Sequence, residues 1–112
     1  MIHHLEDNSI SVERNFRLPV GKGWFYYDVR CGRKIIEYNG DFWHANPKIY
    51  QEHELIKFPG NTMMYAYELW VRDQTRTQVA RDHGFDLLTV WESDFRSNKE
   101  EILNQCLNFM IQ

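Results

Sequence analysis

Three features of the sequence predict an α/β or α+β sandwich with a mixed central β-sheet flanked by helices. The first half carries strand-like runs rich in aromatic and β-branched residues, broken by glycine turns at Gly21-Lys22-Gly23 and Cys31-Gly32. A long stretch with helical spacing follows and stops at Gly84. A second strand-like run, Leu87-Leu88-Thr89-Val90-Trp91, and a second helical stretch complete the chain. Strands followed by helix, strand and helix is an order that layers helices on a mixed sheet.

Met1 to Asn8 is polar and reads as a frayed end. Ser9 to Val20 reads as a strand with Ile10, Val12, Phe16 and Leu18 as apolar members and Pro19 near its end; a short helix over Val12 to Arg17 is the competing assignment. Trp24 to Val29 and Lys34 to Tyr38 read as a hairpin around Cys31-Gly32. That turn sets Arg30 opposite Arg33, Asp28 opposite Ile35 and Tyr26 opposite Glu37. With side chains alternating every second residue, Asp28 and Glu37 then share one face as diagonal neighbours, and a one-residue slip would separate them. Ala45 to Gly60 is a connection with the turn signal Pro59-Gly60. Asn61 or Thr62 caps a helix running to about His83, with Met63 and Met64 in its first turns. Ala66, Trp70, Asp73, Thr77 and Ala80 recur on one face of it, so Asp73 puts a charge into an inward stripe. An arginine ion pair and a role at a site both explain such a charge. Leu87 to Trp91 suits a strand covered on both faces, with Glu92 as a charge at its end. Ser97 and Glu100 have capping-box spacing ahead of a helix that buries Ile102, Leu103, Cys106, Phe109 and Met110.

A chain of 112 residues is one domain with one modest core, here residues 1–112. Hydrophobic residues at 43% and aromatics at 15% argue for a packed fold over disorder. No apolar run approaches the length of a membrane span. His3-His4 and Glu6-Asp7 fall where the apolar part of a signal peptide would lie. Cys31 and Cys106 form neither a framework nor a CxxC pair and read as reduced thiols of a cytoplasmic protein. The net charge of −3 counts mildly against nucleic acid. Two basic clusters soften that objection: Arg30, Arg33 and Lys34 at the hairpin, and Arg72, Arg76 and Arg81 on the long helix. A free-standing DNA binder is usually far more basic, so a DNA-reading module supplied by a fused domain or a partner is expected.

The stretch Glu37-Tyr38-Asn39-Gly40-Asp41-Phe42-Trp43-His44 concentrates chemistry. Three groups able to bind metal or move protons, Glu37, Asp41 and His44, fall within eight residues beside Phe-Trp. Two carboxylates about 4 Å apart repel by roughly 4 kcal/mol at an effective dielectric near 20. A divalent cation would remove that cost and supply a Lewis acid. Taken alone, the same charges also suit a solvated strand end.

Ile35 to His44 with Asn46-Pro47 resembles the core motif of the EDxHD group of phage homing endonucleases. These are similar to the very-short-patch repair endonuclease, in the PD-(D/E)XK superfamily. The likeness continues at Arg72-Asp73 and from Gly84-Phe85 to Glu92, and so covers roughly Phe25 to Phe95. Gly-Asp-Phe-Trp-His-x-Asn-Pro is its most specific part. The resemblance implies a restriction-endonuclease-like fold acting on double-stranded DNA. It assigns Asp28 and Glu37 to Mg²⁺ or another divalent cation, Asp41 to a place near the metal, and His44 to the phosphate chemistry. Phe42 and Trp43 would wedge into the base stack, with Asn39 as a further DNA contact, and ordinary core packing is the other reading of the two rings. Asp73 would orient His44 or complete the metal shell. Glu13 stands where related nucleases often place another acidic group, and equally suits a solvated glutamate.

The departures from that pattern are specific. Asp41 replaces a zinc-binding cysteine of the repair enzyme, and two distant cysteines cannot rebuild the site, so no structural zinc is expected. Asn39 stands at the superfamily's lysine, two residues after the glutamate, and a neutral amide cannot supply that charge. The expected activity is metal-dependent hydrolysis of DNA phosphodiester bonds, with His44 handling the proton. A mismatch-directed nicking enzyme and a non-catalytic nucleic-acid-binding domain are the alternatives. Cutting both strands with one site per chain would call for a homodimer or sequential nicking.

Overall fold

The chain runs α1 (Ile2–Asp7), β1 (Glu13–Val20), β2 (Gly23–Cys31), β3 (Lys34–Asn39), β4 (Leu55–Lys57), β5 (Met63–Tyr65), α2 (Ala66–Asp82), β6 (Asp86–Trp91), α3 (Glu92–Ser97) and α4 (Lys99–Ile111). The computed structural model describes residues 1–112. Strands β1, β2, β3 and β6 form one sheet in that order, and β4 pairs with β5 in a separate hairpin. The first three strands are antiparallel neighbours, whereas β6 lies parallel to β3. A parallel neighbour needs a long crossover, and the segment containing α2 provides it. The sheet is therefore mixed and flanked by helices. No helix is long and apolar enough to cross a membrane.

Each face of the sheet has its own core. Leu5 of α1, Val29, Ile36, Val90, and Cys106 and Met110 of α4 fill one side. Leu18, Tyr27, Ile35, Ala80 of α2 and Phe85 fill the other. A third cluster, Ala45, Ile56, Ala66 and Leu69, docks the β4–β5 hairpin against the start of α2. Helix α2 is thus anchored near both ends, and residues 71 to 78 belong to none of these clusters.

Several sequence expectations need correction. The N-terminal segment is a helix whose Leu5 is fully buried, because its polar residues leave one apolar side chain aimed at α4 and the sheet. Residues 13 to 17 are strand, so the competing helix does not form. The hairpin loop is Gly32-Arg33, with Cys31 opposite Lys34 and Val29 opposite Ile36. Gly32 takes the positive φ of +57° at the first loop position, where a II′ turn wants glycine. This moves the pairing by two residues from expectation and so preserves the face. Met63 and Met64 belong to β5, not to a helical turn, and α2 begins only at Ala66, where Glu68 accepts a hydrogen bond from Tyr65 N–H at 3.0 Å. The Ser97 capping box is absent: the Ser97 hydroxyl donates backward to the Ser93 carbonyl at 2.8 Å, and α4 starts after Asn98.

Strand β2 does not alternate faces throughout. Tyr27 lies in the α2-side core and Val29 in the α4-side core, although residues two apart on a regular strand share a face. The break falls at Asp28, across from Asn15, whose φ is +51° and which is skipped in the β1–β2 pairing.

Candidate active-site cleft

At this irregularity two carboxylates meet. One step beyond the Val29–Ile36 pair, Asp28 N–H donates to Glu37 Oε1 at 2.8 Å, and Tyr38 N–H donates to Asp28 Oδ2 at 2.8 Å. The side chains thus take up backbone donors where the ladder ends. Glu37 Oε2 lies 3.3 Å from Arg76 Nη2 of α2, and both side chains are mostly buried. Burial raises the Glu37 pKa above its ordinary value, and the Asp28 charge raises it further; the Asp28 N–H bond and Arg76 oppose the shift.

Arg76 is held firmly. Its guanidinium donates to the Tyr26 carbonyl and lies 4.8 Å from the Tyr27 ring centroid, while its own carbonyl accepts from the Tyr27 hydroxyl at 2.7 Å. Arg72, one helical turn earlier, lines the same cleft and has no carboxylate within 4.0 Å. Opposite them, His44 Nδ1 stands 2.8 Å from Asp73 Oδ2. An ionised carboxylate can only accept, so the proton sits on Nδ1 and Nε2 is the free nitrogen. Asp28, Glu37, Asn39, His44, Arg72, Asp73 and Arg76 all line this cleft.

His44 reaches it because the chain coils tightly after β3. His44 N–H bonds the Gly40 carbonyl at 3.1 Å, Asn46 N–H bonds the Asp41 carbonyl at 2.9 Å, and Ala45 adopts φ +49°. A Cβ on Gly40 would come within 3.3 Å of the Trp43 ring, which favours glycine there. The coil fans its side chains apart. Asp41 leaves the cleft: its Oδ1 accepts from Asn46 Nδ2 at 2.9 Å, Ser93 Oγ at 3.2 Å and Ser93 N–H at 3.4 Å. Glu92 holds the same corner, accepting Asp41 N–H at 3.2 Å and pairing with Arg96 at 2.7 Å, so it is more than a strand-end surface charge.

Phe42 and Trp43 are not core residues; they are 37% and 54% exposed. Trp43 stacks on Phe58 with centroids 5.4 Å apart, and Phe42 meets both rings edge-on. Asn39, by contrast, is only 6% exposed, at the floor of the cleft, which leaves it little surface for DNA. Glu13 lies outside the cleft, paired with Arg30 at 2.6 Å.

Three participants do not stand out in the sequence: Arg72, Arg76 and Phe58. In sequence Arg72 and Arg76 count as basic surface, Arg72 also within the resemblance, yet their spacing around Asp73 puts all three on one face of α2. Phe58 lies in a connection, directly before the Pro59-Gly60 turn. Much of the other expected basic surface is neutralised in place: Arg30 by Glu13 and Lys34 by Asp86.

No group of three or more His, Cys, Asp or Glu side chains gathers as a metal cage. The adjoining Asp28 and Glu37 still suit Mg²⁺, which usually takes one or two carboxylates and completes its shell with water and phosphate oxygens. Burial, and after it the Asp28 charge, raises the Glu37 pKa, and a cation held by the two carboxylates would offset the second of these. No protein-family model, curated protein or solved structure matches this chain.

Proposed function

We propose that the chain is a metal-dependent DNA endonuclease of the phage homing type, on a PD-(D/E)XK scaffold. One observation carries the reading: a carboxylate pair, an oriented imidazole and two guanidinium groups line a single cleft. Asp28 and Glu37 would hold the divalent cation, which when bound supplies Lewis acidity at the phosphate. Arg72 binds and orients the phosphate. His44 accepts the proton of the attacking water at Nε2, with Asp73 fixing the ring and its tautomer. Arg76 answers the objection raised by Asn39: it brings from the helix the charge that the strand lacks. The exposed rings of Phe42, Trp43 and Phe58 form the surface that meets the bases.

A second reading, a nucleic-acid-binding domain without catalysis, draws on the fact that both carboxylates already accept backbone N–H bonds. Plasmid nicking with Mg²⁺ and with EDTA separates the two. Nicking abolished by EDTA is the expected result; DNA binding without nicking under any divalent cation would favour the second.

A further inference from the structure

Beneath the middle of α2 lies a cavity of about 490 Å³. It exists because α2 is held at its start by Ala66 and Leu69 against the β4–β5 hairpin and near its end by Ala80 against the sheet, and contributes no core side chain between residues 71 and 78. Its size falls within the roughly 300–1,000 Å³ of ordinary small-molecule sites. Its lining is of two kinds. Trp70 and Trp91 offer aromatic surface, with the buried Tyr27 ring already covered by Arg76, while Asn39, Thr77 and Thr89 offer an amide and two hydroxyls. Aromatic faces together with a few donors and acceptors suit a flat nitrogen heterocycle, stacked on its faces and hydrogen-bonded at its edge. Position narrows the choice further. Glu37, Asn39, Asp73 and Arg76 line both this cavity and the cleft, so its occupant would adjoin a group held at Arg72 and His44.

We propose that the cavity receives a nucleobase turned out of the stack, so that a nucleotide with its phosphate in the cleft is also held by its base. The inference rests on the nuclease reading for its choice of ligand. Extruding a base costs a few kcal/mol of unstacking, least at a mismatched or unpaired position. Such a pocket would therefore favour distorted or single-stranded sites.

The test is direct binding. Each of the four deoxynucleoside 5′-monophosphates, and deoxyribose 5-phosphate as the base-free probe, is titrated calorimetrically into the metal-free protein. Saturation-transfer NMR reads which ligand protons touch it. Thr89→Leu fills the cavity from β6 and Thr77→Met fills it from α2, so either variant that keeps its melting transition serves. At least one nucleotide should bind more tightly than the sugar phosphate, with the strongest transfer to base protons. The filled variant should weaken that binding about tenfold or more, the scale of one lost base–aromatic contact. Equal affinity for nucleotides and sugar phosphate would overturn the cavity, and wild-type nicking in the same preparation would leave the nuclease reading standing. Base binding that the filled variant loses, in a protein that never nicks, would sustain the cavity and remove the nuclease reading.

Discussion

Glu37 and Asp41 are four residues apart and meet opposite surroundings. Glu37 faces α2 beside a second carboxylate, and burial and that neighbour both disfavour its charge. Asp41 faces α3, where Asn46 and Ser93 give its carboxylate three donors and the nearby Glu92 is itself paired with Arg96. The first arrangement keeps a raised pKa even with Arg76 and the Asp28 N–H beside it, and it is where the proposed cation would sit. The second is already complete, and any change leaves donors without an acceptor. The partners of a carboxylate, more than its place in an acidic motif, decide whether it serves chemistry or structure.

The largest effect should come from Glu37→Gln, which keeps shape and removes charge. Mg²⁺-dependent nicking should fall further than the roughly 10²–10⁴-fold typical of losing a proton-transfer group. Stability should behave differently. The Glu37 pKa is raised above 4.5, so the folded state binds this proton more tightly than the unfolded chain. That contribution is complete below the unfolded pKa and is lost as pH rises through the raised folded value. Wild type should lose stability over this window, and Glu37→Gln should lack that segment of the curve. Mg²⁺ at about 100 times its Kd should stabilise wild type by about 2.7 kcal/mol and leave the variant unmoved. Stabilisation of both by Mg²⁺ would place the cation elsewhere.

His44→Ala should cost about 10²–10⁴ in nicking rate while DNA binding survives. Asp73→Asn tests the hold on the ring and its tautomer and should cost less, about 10–100-fold, the scale of losing a partner that orients a histidine. Equal losses in the two variants would mean that Asp73 does more than hold the ring. Wild-type nicking by His44→Ala across neutral pH would confine His44 to packing beside Trp91, where their ring centroids are 6.5 Å apart.

Asp41 gives the contrasting result. Asp41→Ala removes the nearer of the two acceptors of the Asn46 amide, leaving Ser93 Oγ at 3.3 Å, and Asn46 is only 1% exposed. Leaving a buried donor unsatisfied costs about 1–3 kcal/mol. Nicking per folded molecule should stay close to wild type. A collapse of nicking with an unchanged melting temperature would return Asp41 to the metal side and erase the contrast with Glu37.

The chain order of strands, helix, strand and helix and the shared face of Asp28 and Glu37 were legible in the sequence, because these follow from periodicity and turn residues, whereas the parallel pairing of β6 with β3 was not. The hairpin register was off by two, which kept parity and so kept the carboxylates together. Asp41 was illegible because its partner Ser93 lies 52 residues away and only the tertiary fold joins them. Arg76 was hidden for the same reason: its contact with Glu37 spans 39 residues. The amphipathic reading of α2 also failed at its start, where β5 pairs with β4 and takes Met63 and Met64 from the helix.

The smallest effect should belong to Glu13, and it sharpens the comparison from outside. Its carboxylate accepts from Arg30 Nε at 3.0 Å and Nη2 at 2.6 Å, so it resembles Glu37 in having an arginine partner. It differs in exposure, at 49% for the Glu13 side chain against 13% for Glu37. It also lacks a neighbouring carboxylate in that pairing, and Arg30 is independently seated over Phe16, 4.7 Å from the ring centroid. Solvent screens such a pair, and exposed ion pairs are typically worth about 0.2–1 kcal/mol. Glu13→Gln should therefore shift melting only slightly, the shift should shrink further in high salt, and nicking should stay at the wild-type level. A variant that melts normally but fails to nick would show that Glu13 reaches the cleft when DNA is bound. The carboxylates would then number three, and the division between Glu37 and the structural acids would have to be redrawn.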